Sequence, residues 1–206
     1  MPAGTSDPPD AMNTLPYVVA IGASAGGVEA TTRLLKTLPR DLPAAVVVVT
    51  HRPARLADAL PTILARATEL RVRPAVRGAS LEPGVCHVAP PEQVLWVKSD
   101  GSFDLVEDGF YRVHRIDACF HSLALHAGRR TVGVVLSGTL ADGAMGLRAI
   151  REAGGMTLVQ ALNDAEFGDM PRTAIAIASP VDLVGTAEAL GYAICRHVEK
   201  ACLDQQ

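Results

Sequence analysis

Three short stretches carry side chains suited to acyl chemistry. Gly22-Ala23-Ser24-Ala25-Gly26 has the Gly-x-Ser-x-Gly spacing of a strand-to-helix nucleophile turn. Such a turn needs small residues flanking the serine. The hydroxyl then projects, and the helix that follows offers its free amides. His51 comes directly after the apolar run Ala44–Thr50 and is placed to act as a general base. Asp142 lies in Ser137-Gly138-Thr139-Leu140-Ala141-Asp142-Gly143, just past the run Thr131–Leu136. A carboxylate there could orient an imidazole and stabilise its cation. A hydroxyl, an imidazole and a carboxylate at strand ends make a serine-hydrolase set.

Each residue also has a plainer reading. Glycine-rich turns after a first strand more often cradle a nucleotide phosphate. The dinucleotide form needs Gly-x-Gly-x-x-Gly, and Ser24 stands where its middle glycine would be. No Gly-x-x-x-x-Gly-Lys occurs either. A histidine on a buried strand is more often a packed structural residue. Asp-Gly ahead of a helix is a common N-cap. The chain order Ser, His, Asp differs from the Ser, Asp, His of α/β-hydrolases, so that fold is not expected.

Metal and cofactor chemistry has little support. His121 and His126 are five apart, the wrong spacing for one helix face. His114 belongs to no His-Glu-x-x-His motif. The four cysteines, Cys86, Cys119, Cys195 and Cys202, form no Cys-x-x-Cys. No metal and no organic cofactor is expected. Arg52, Arg55, Arg112, Arg115, Arg129 and Arg130 are read mostly as solvated charges, some of which could line a rim for an acidic partner.

The elements that must position these groups alternate. Strands are expected at Leu15–Ala23, Ala44–Thr50, Thr131–Leu136, Met156–Gln160 and Val181–Val184. Helices are expected at Gly26–Leu38, Leu56–Ala67, Ile116–Ala127, Ala144–Ala153, Pro171–Ala178 and Ala187–Cys202. Runs without polar alternation suit parallel strands covered on both faces. Between Val72 and Val106 the texture changes to short β-like pieces with Pro and Gly turns. Val85–Ala89 and Val94–Val97 are the clearest, and antiparallel hairpins are expected there. The pattern predicts an α/β fold: a doubly wound, mostly parallel sheet with helices on both faces and an antiparallel hairpin. In such sheets ligands bind beyond the carboxyl ends of the strands.

The chain has 206 residues, 49% hydrophobic and 20% charged. That length suits one domain, 15–203, with 1–14 as a small polar disordered leader. Nineteen Lys and Arg against 22 Asp and Glu give a net charge of -3, so nucleic-acid binding is not expected. No apolar run approaches the roughly 20 residues of a membrane span, so no membrane insertion is expected. Reduced thiols and no signal peptide point to the cytoplasm.

The segment Val18-Val19-Ala20-Ile21-Gly22-Ala23-Ser24-Ala25-Gly26-Gly27 resembles the opening of the CheB-type protein-glutamate methylesterase catalytic domain. The resemblance continues through His51, Leu81-Glu82-Pro83-Gly84, Val88-Ala89-Pro90-Pro91 and Leu136-Ser137-Gly138. It goes on with Asp142-Gly143-Ala144 and Met170-Pro171-Arg172, and covers about residues 16 to 190. It implies hydrolysis of glutamate γ-methyl esters on the cytoplasmic helices of methyl-accepting chemotaxis receptors, and deamidation of receptor glutamines. The family serine, histidine and aspartate fall on Ser24, His51 and Asp142. Ala25, Gly26, Thr139 and Met170 fall around the oxyanion hole and the site's rim.

Three departures stand out. Ala25 replaces the family's usual threonine. Leu140 stands where the family has a glycine; if that position uses a positive φ, the leucine is strained or the turn reshaped. The receptor-facing stretch, aligned with Arg112-Val113-His114-Arg115-Ile116-Asp117, also differs. A receiver domain needs about 120 residues, and too few precede the first strand, so either constitutive activity or control by a separate regulatory protein is expected. The alternative is a catalytically weak adaptor of the same fold in a signalling pathway.

Overall fold

The computed structural model describes residues 15–52, 58–107, 109 and 113–203. The leader expected at 1–14, together with Arg55 and Arg112, lies outside them. In chain order the elements are β1 (Tyr17–Ala23), α1 (Gly27–Leu35), β2 (Ala44–Thr50), α2 (Leu60–Ala65), β3 (Arg71–Pro74), β4 (Val85–Val88), β5 (Gln93–Val97) and β6 (Phe103–Glu107). They continue with α3 (Arg115–His126), β7 (Thr131–Val135), α4 (Ala144–Glu152), β8 (Met156–Gln160), α5 (Asp169–Ala178), β9 (Leu183–Gly185) and α6 (Ala187–Leu203).

Seven strands form one sheet in the order β3-β4-β2-β1-β7-β8-β9. Every pairing in it is parallel. The strand β2 shows why. Its sequence Ala-Ala-Val-Val-Val-Val-Thr is buried at all seven positions, so it needs cover on both faces. One apolar layer holds Leu34 and Leu35 of α1, Leu64 of α2 and Ile194 of α6. The other holds Phe120 and Leu123 of α3, Leu147 of α4 and Ala174 of α5. The sheet is therefore doubly wound, as expected. Among the described residues, no helix is long and apolar enough to cross a membrane.

One expectation needs correction. Val85–Ala89 is not half of an antiparallel hairpin. Its residues Val85–Val88 form β4, a parallel strand between β3 and β2. All four positions are buried, which a hairpin with one wet face would not demand. The hairpin is β5 with β6, paired Gln93 to Glu107 through Val97 to Phe103. Its turn runs through Asp100-Gly101, where Asp100 Oδ1 accepts the Ser102 amide at 2.9 Å and the Ser102 hydroxyl at 2.7 Å.

The strand order reverses between β1 and β7. The helix after β1 packs on one face of the sheet and the helix after β7 on the other. Their loops part and leave a crevice at the carboxyl ends. Ser24 follows β1, Asp142 follows β7, and His51 follows β2, the other neighbour of β1.

Candidate active site

The nucleophile turn is held by the backbone. The Ser24 amide donates to Ser137 O at 2.9 Å, and the Gly27 amide donates to Ser24 O at 2.9 Å. Gly26 ends the turn as the N-cap of α1 with φ +69°, a left-handed conformation natural to glycine. A Cβ there would lie 2.7 Å from both Ser137 Oγ and Glu166 Oε2. Gly138 approaches from the loop after β7, and a Cβ on it would collide with Met170 Sδ and with Ser24 Cβ. Met170 is fully buried, so it backs the Gly138 loop and forms no open rim. Among the described residues, the Ser24 hydroxyl makes no hydrogen bond, and the Ala25, Gly26 and Thr139 amides donate to no acceptor. The turn thus carries a free side-chain oxygen together with unspent backbone donors at Ala25 and Gly26, the kind of group an oxyanion hole requires.

The base side is held by side chains. His51 Nε2 lies 2.8 Å from Asp142 Oδ2. The oxygen meets the ring off the N–H axis, so this is a close contact without a linear hydrogen bond. Asp142 is almost wholly buried. Its Oδ2 accepts the Ile116 amide at 2.8 Å, and its Oδ1 accepts the Asp117 amide at 2.9 Å and the Gly143 amide at 2.8 Å. The first two are free amides of the first turn of α3. Asp142 is therefore a helix cap as well as a partner of His51, but it caps α3 and not the helix that follows it. The cap of α4 is Gly143, with no side-chain bond.

Arg52 corrects a sequence expectation. It is no solvated charge: its guanidinium donates to Asp58 at 2.9 and 2.5 Å, to Thr50 Oγ1 at 2.9 Å and to Ala89 O at 2.6 Å. These bonds clamp the chain on both sides of His51 to the sheet. Arg115 is likewise buried. Asp117 is buried at the start of α3; burial pushes its carboxyl up, the Gly146 amide opposes this, and the Asp142 charge adds to it. Asp117 and Arg52 leave no local sequence signal, because their partners lie in other elements.

His114, Asp117 and Asp142 bring possible metal-ligand atoms within 4.8 Å of one another. Three of the four carboxylate oxygens already accept backbone amides. Asp142 takes three amides and His51, and Asp117 Oδ1 takes the Gly146 amide at 2.7 Å.

A cavity of about 410 Å³ opens beside His51 and Asp142, walled by Val113, His114 and Leu140. Leu140 is 72% exposed. Its φ is +68°, so the leucine does adopt the left-handed conformation that the sequence comparison made a concern. That conformation costs about 1–3 kcal/mol for a non-glycine residue.

The family described as CheB methylesterase matches residues 19–194. A protein-glutamate methylesterase/protein-glutamine glutaminase of Chromohalobacter salexigens is 34% identical over 176 residues, 83% of this chain and 49% of that protein. A putative enzyme of the same name from Leptospira interrogans is 33% identical over 180 residues, 86% of this chain and 93% of that one. The chain spans about half the length of the first relative. The crystal structure of the Thermotoga maritima CheB methylesterase catalytic domain superposes with a TM-score of 0.82 at 26% identity, covering 88% of this chain and 98% of that one. With a family match across most of its length and the same fold in a solved member, the chain belongs to the CheB methylesterase family.

Proposed function

We propose that this chain is a serine hydrolase that removes methyl esters from glutamate γ-carboxyl groups of chemoreceptors. The observation that carries the reading is the 2.8 Å pairing of His51 with Asp142 on the sheet edge that bears the Ser24 turn. Asp142 occupies Nε2, which leaves Nδ1 as the nitrogen that takes the Ser24 proton. Ser24 Oγ then attacks the γ-carbonyl carbon, and the oxyanion is held by amides among Ala25, Gly26 and Thr139. The protonated imidazole, balanced by the Asp142 carboxylate, returns its proton to the leaving methoxide, and methanol departs. Water, deprotonated by His51, attacks the acyl-enzyme carbonyl and releases glutamate and free Ser24. A glutamine side chain follows the same route with ammonia as the leaving group. The substrate is the cytoplasmic helical region of methyl-accepting receptors, reached from the cytoplasm.

The test is methanol release from methylated receptor cytoplasmic fragments, comparing the wild type with Ser24→Ala. Release that falls by about 10⁴-fold or more in the variant, with melting temperature unchanged, supports the reading. No release by a folded wild type from several receptors overturns it and favours the adaptor.

A further inference from the structure

The geometry points to Ser137 as a positioning residue that aims the amides beside Ser24, an inference that rests on the hydrolase reading above. Ser137 is almost wholly buried at the end of β7. Its two oxygens hold the nucleophile turn at both ends. Ser137 O accepts the Ser24 amide at 2.9 Å, and Ser137 Oγ donates to Ala25 O at 2.8 Å. The hydroxyl oxygen in turn accepts the Phe167 amide at 3.0 Å.

A trans peptide is planar, with its C=O and N–H pointing in opposite directions. Pulling the Ala25 carbonyl toward Ser137 therefore turns the Gly26 N–H away from it. The Ala25 N–H lies between the two anchors. Both amides are among the unspent donors described above. The hydroxyl thus sets the direction of two oxyanion donors without touching substrate.

Ser137 is itself held by a chain of hydrogen bonds that runs from the core to a half-buried ion pair. Its amide donates to Gln160 Oε1 at 2.8 Å, which fixes the Gln160 amide orientation. Gln160 Nε2 then donates to Asp164 Oδ2 at 2.8 Å, and Arg33 Nη2 donates to Asp164 Oδ1 at 2.7 Å. Burial works to raise the Asp164 carboxyl, but the Arg33, Gln160 and Ala187 donors together hold it below its usual range. A charged anchor therefore ends the chain that reaches the nucleophile turn.

The experiment compares full-length wild type, Ser137→Ala, Ser137→Cys and Ser137→Thr. Steady-state methanol release and the rate of Ser24 phosphonylation by a fluorophosphonate are both measured. The phosphonyl oxygen uses the same amides, so this second rate needs no receptor. Expected is a fall of about 10- to 100-fold in kcat and in phosphonylation rate for Ala, with KM within about twofold. Cys fills the space with a weak donor and falls almost as far; Thr keeps the hydroxyl and restores most of the rate. A folded Ala variant at wild-type kcat, or a loss confined to KM, overturns the inference; if Ala fails to fold, Cys decides. A wild type that is phosphonylated but releases no methanol defeats the methylesterase reading alone, and the phosphonylation rates then decide the role of Ser137. A wild type inert in both assays overturns both.

Discussion

The two sides of the crevice are built by different means. On the nucleophile side, peptide groups hold Ser24: its own N–H, its own C=O, and close-packed Gly26 and Gly138. On the base side, side chains hold His51: Asp142 by direct contact and the Arg52–Asp58 clamp through the neighbouring residue. Peptide bonding between adjacent strands constrains a turn wherever the strands pair. Side-chain clamps exist only while particular residues are present. The bonds to the peptide groups of Ser24 should therefore tolerate changes of surface residues, and the side-chain clamps around His51 should not.

The largest expected break falls on Asp142. Asp142→Ala removes the partner of His51 and the acceptor for two buried helix amides. Activity should drop by about 10³- to 10⁴-fold, and unfolding free energy by about 1–3 kcal/mol. Ser24→Ala should lose at least as much activity without the loss of stability. Equal stability of the two variants in urea unfolding would mean that the α3 amides find another acceptor.

Next comes His87, on β4 beneath the base side, whose Nε2 accepts the Glu82 amide at 3.4 Å. Burial lowers its pKa to about 4, with Glu82 opposing, against an ordinary 6.5. The folded state thus keeps the ring neutral where the unfolded chain takes up a proton. Stability is unaffected above pH 6.5, declines as pH falls from 6.5 toward 4, and levels off below that, for up to about 3 kcal/mol. His87→Gln keeps an acceptor but cannot titrate. A stability curve for it as steep as the wild type's between pH 6.5 and 4 would remove His87 from the account.

Smaller still is Arg52→Ala, which frees the chain around His51 without touching Ser24. About a tenfold loss in kcat is expected, together with about 1–2 kcal/mol of stability. An unchanged kcat would show that Asp142 alone positions the imidazole. The least effect belongs to Leu140→Gly. Relief of the left-handed leucine should stabilise the fold by about 1 kcal/mol, and thermal unfolding would read this as a rise of a few degrees. A lower melting temperature would mean that Leu140 makes contacts worth more than its strain.

The same contrast explains what could be read from sequence. The strand Ala44–Thr50 was legible because double-sided burial demands a nearly unbroken apolar run. The Ser24 turn was legible because tight backbone geometry selects glycine at fixed spacing. Leu140 was legible as a residue at odds with its position. The role of β4 was not, because a four-residue apolar run fits a hairpin and a parallel strand equally well. Nor were Arg52, Asp117, Gln160 and Asp164, whose partners include groups set by the tertiary fold. Asp142 was half legible: its capping was expected, but on the wrong helix, since α3 precedes it by 25 residues and packs beside it only in the folded chain.

The two duties of Asp142 bear on how copies of such a chain would decay. A copy released from selection for turnover would still be held to Asp142, since losing it exposes the start of α3. Its persistence in a drifting lineage is therefore poor testimony to activity. Ser24 is the opposite case: among the described residues its hydroxyl makes no hydrogen bond, and Ala25 beside it shows that a methyl group is accommodated in this turn. A serine retained there over long divergence is one that chemistry, and not folding, has kept.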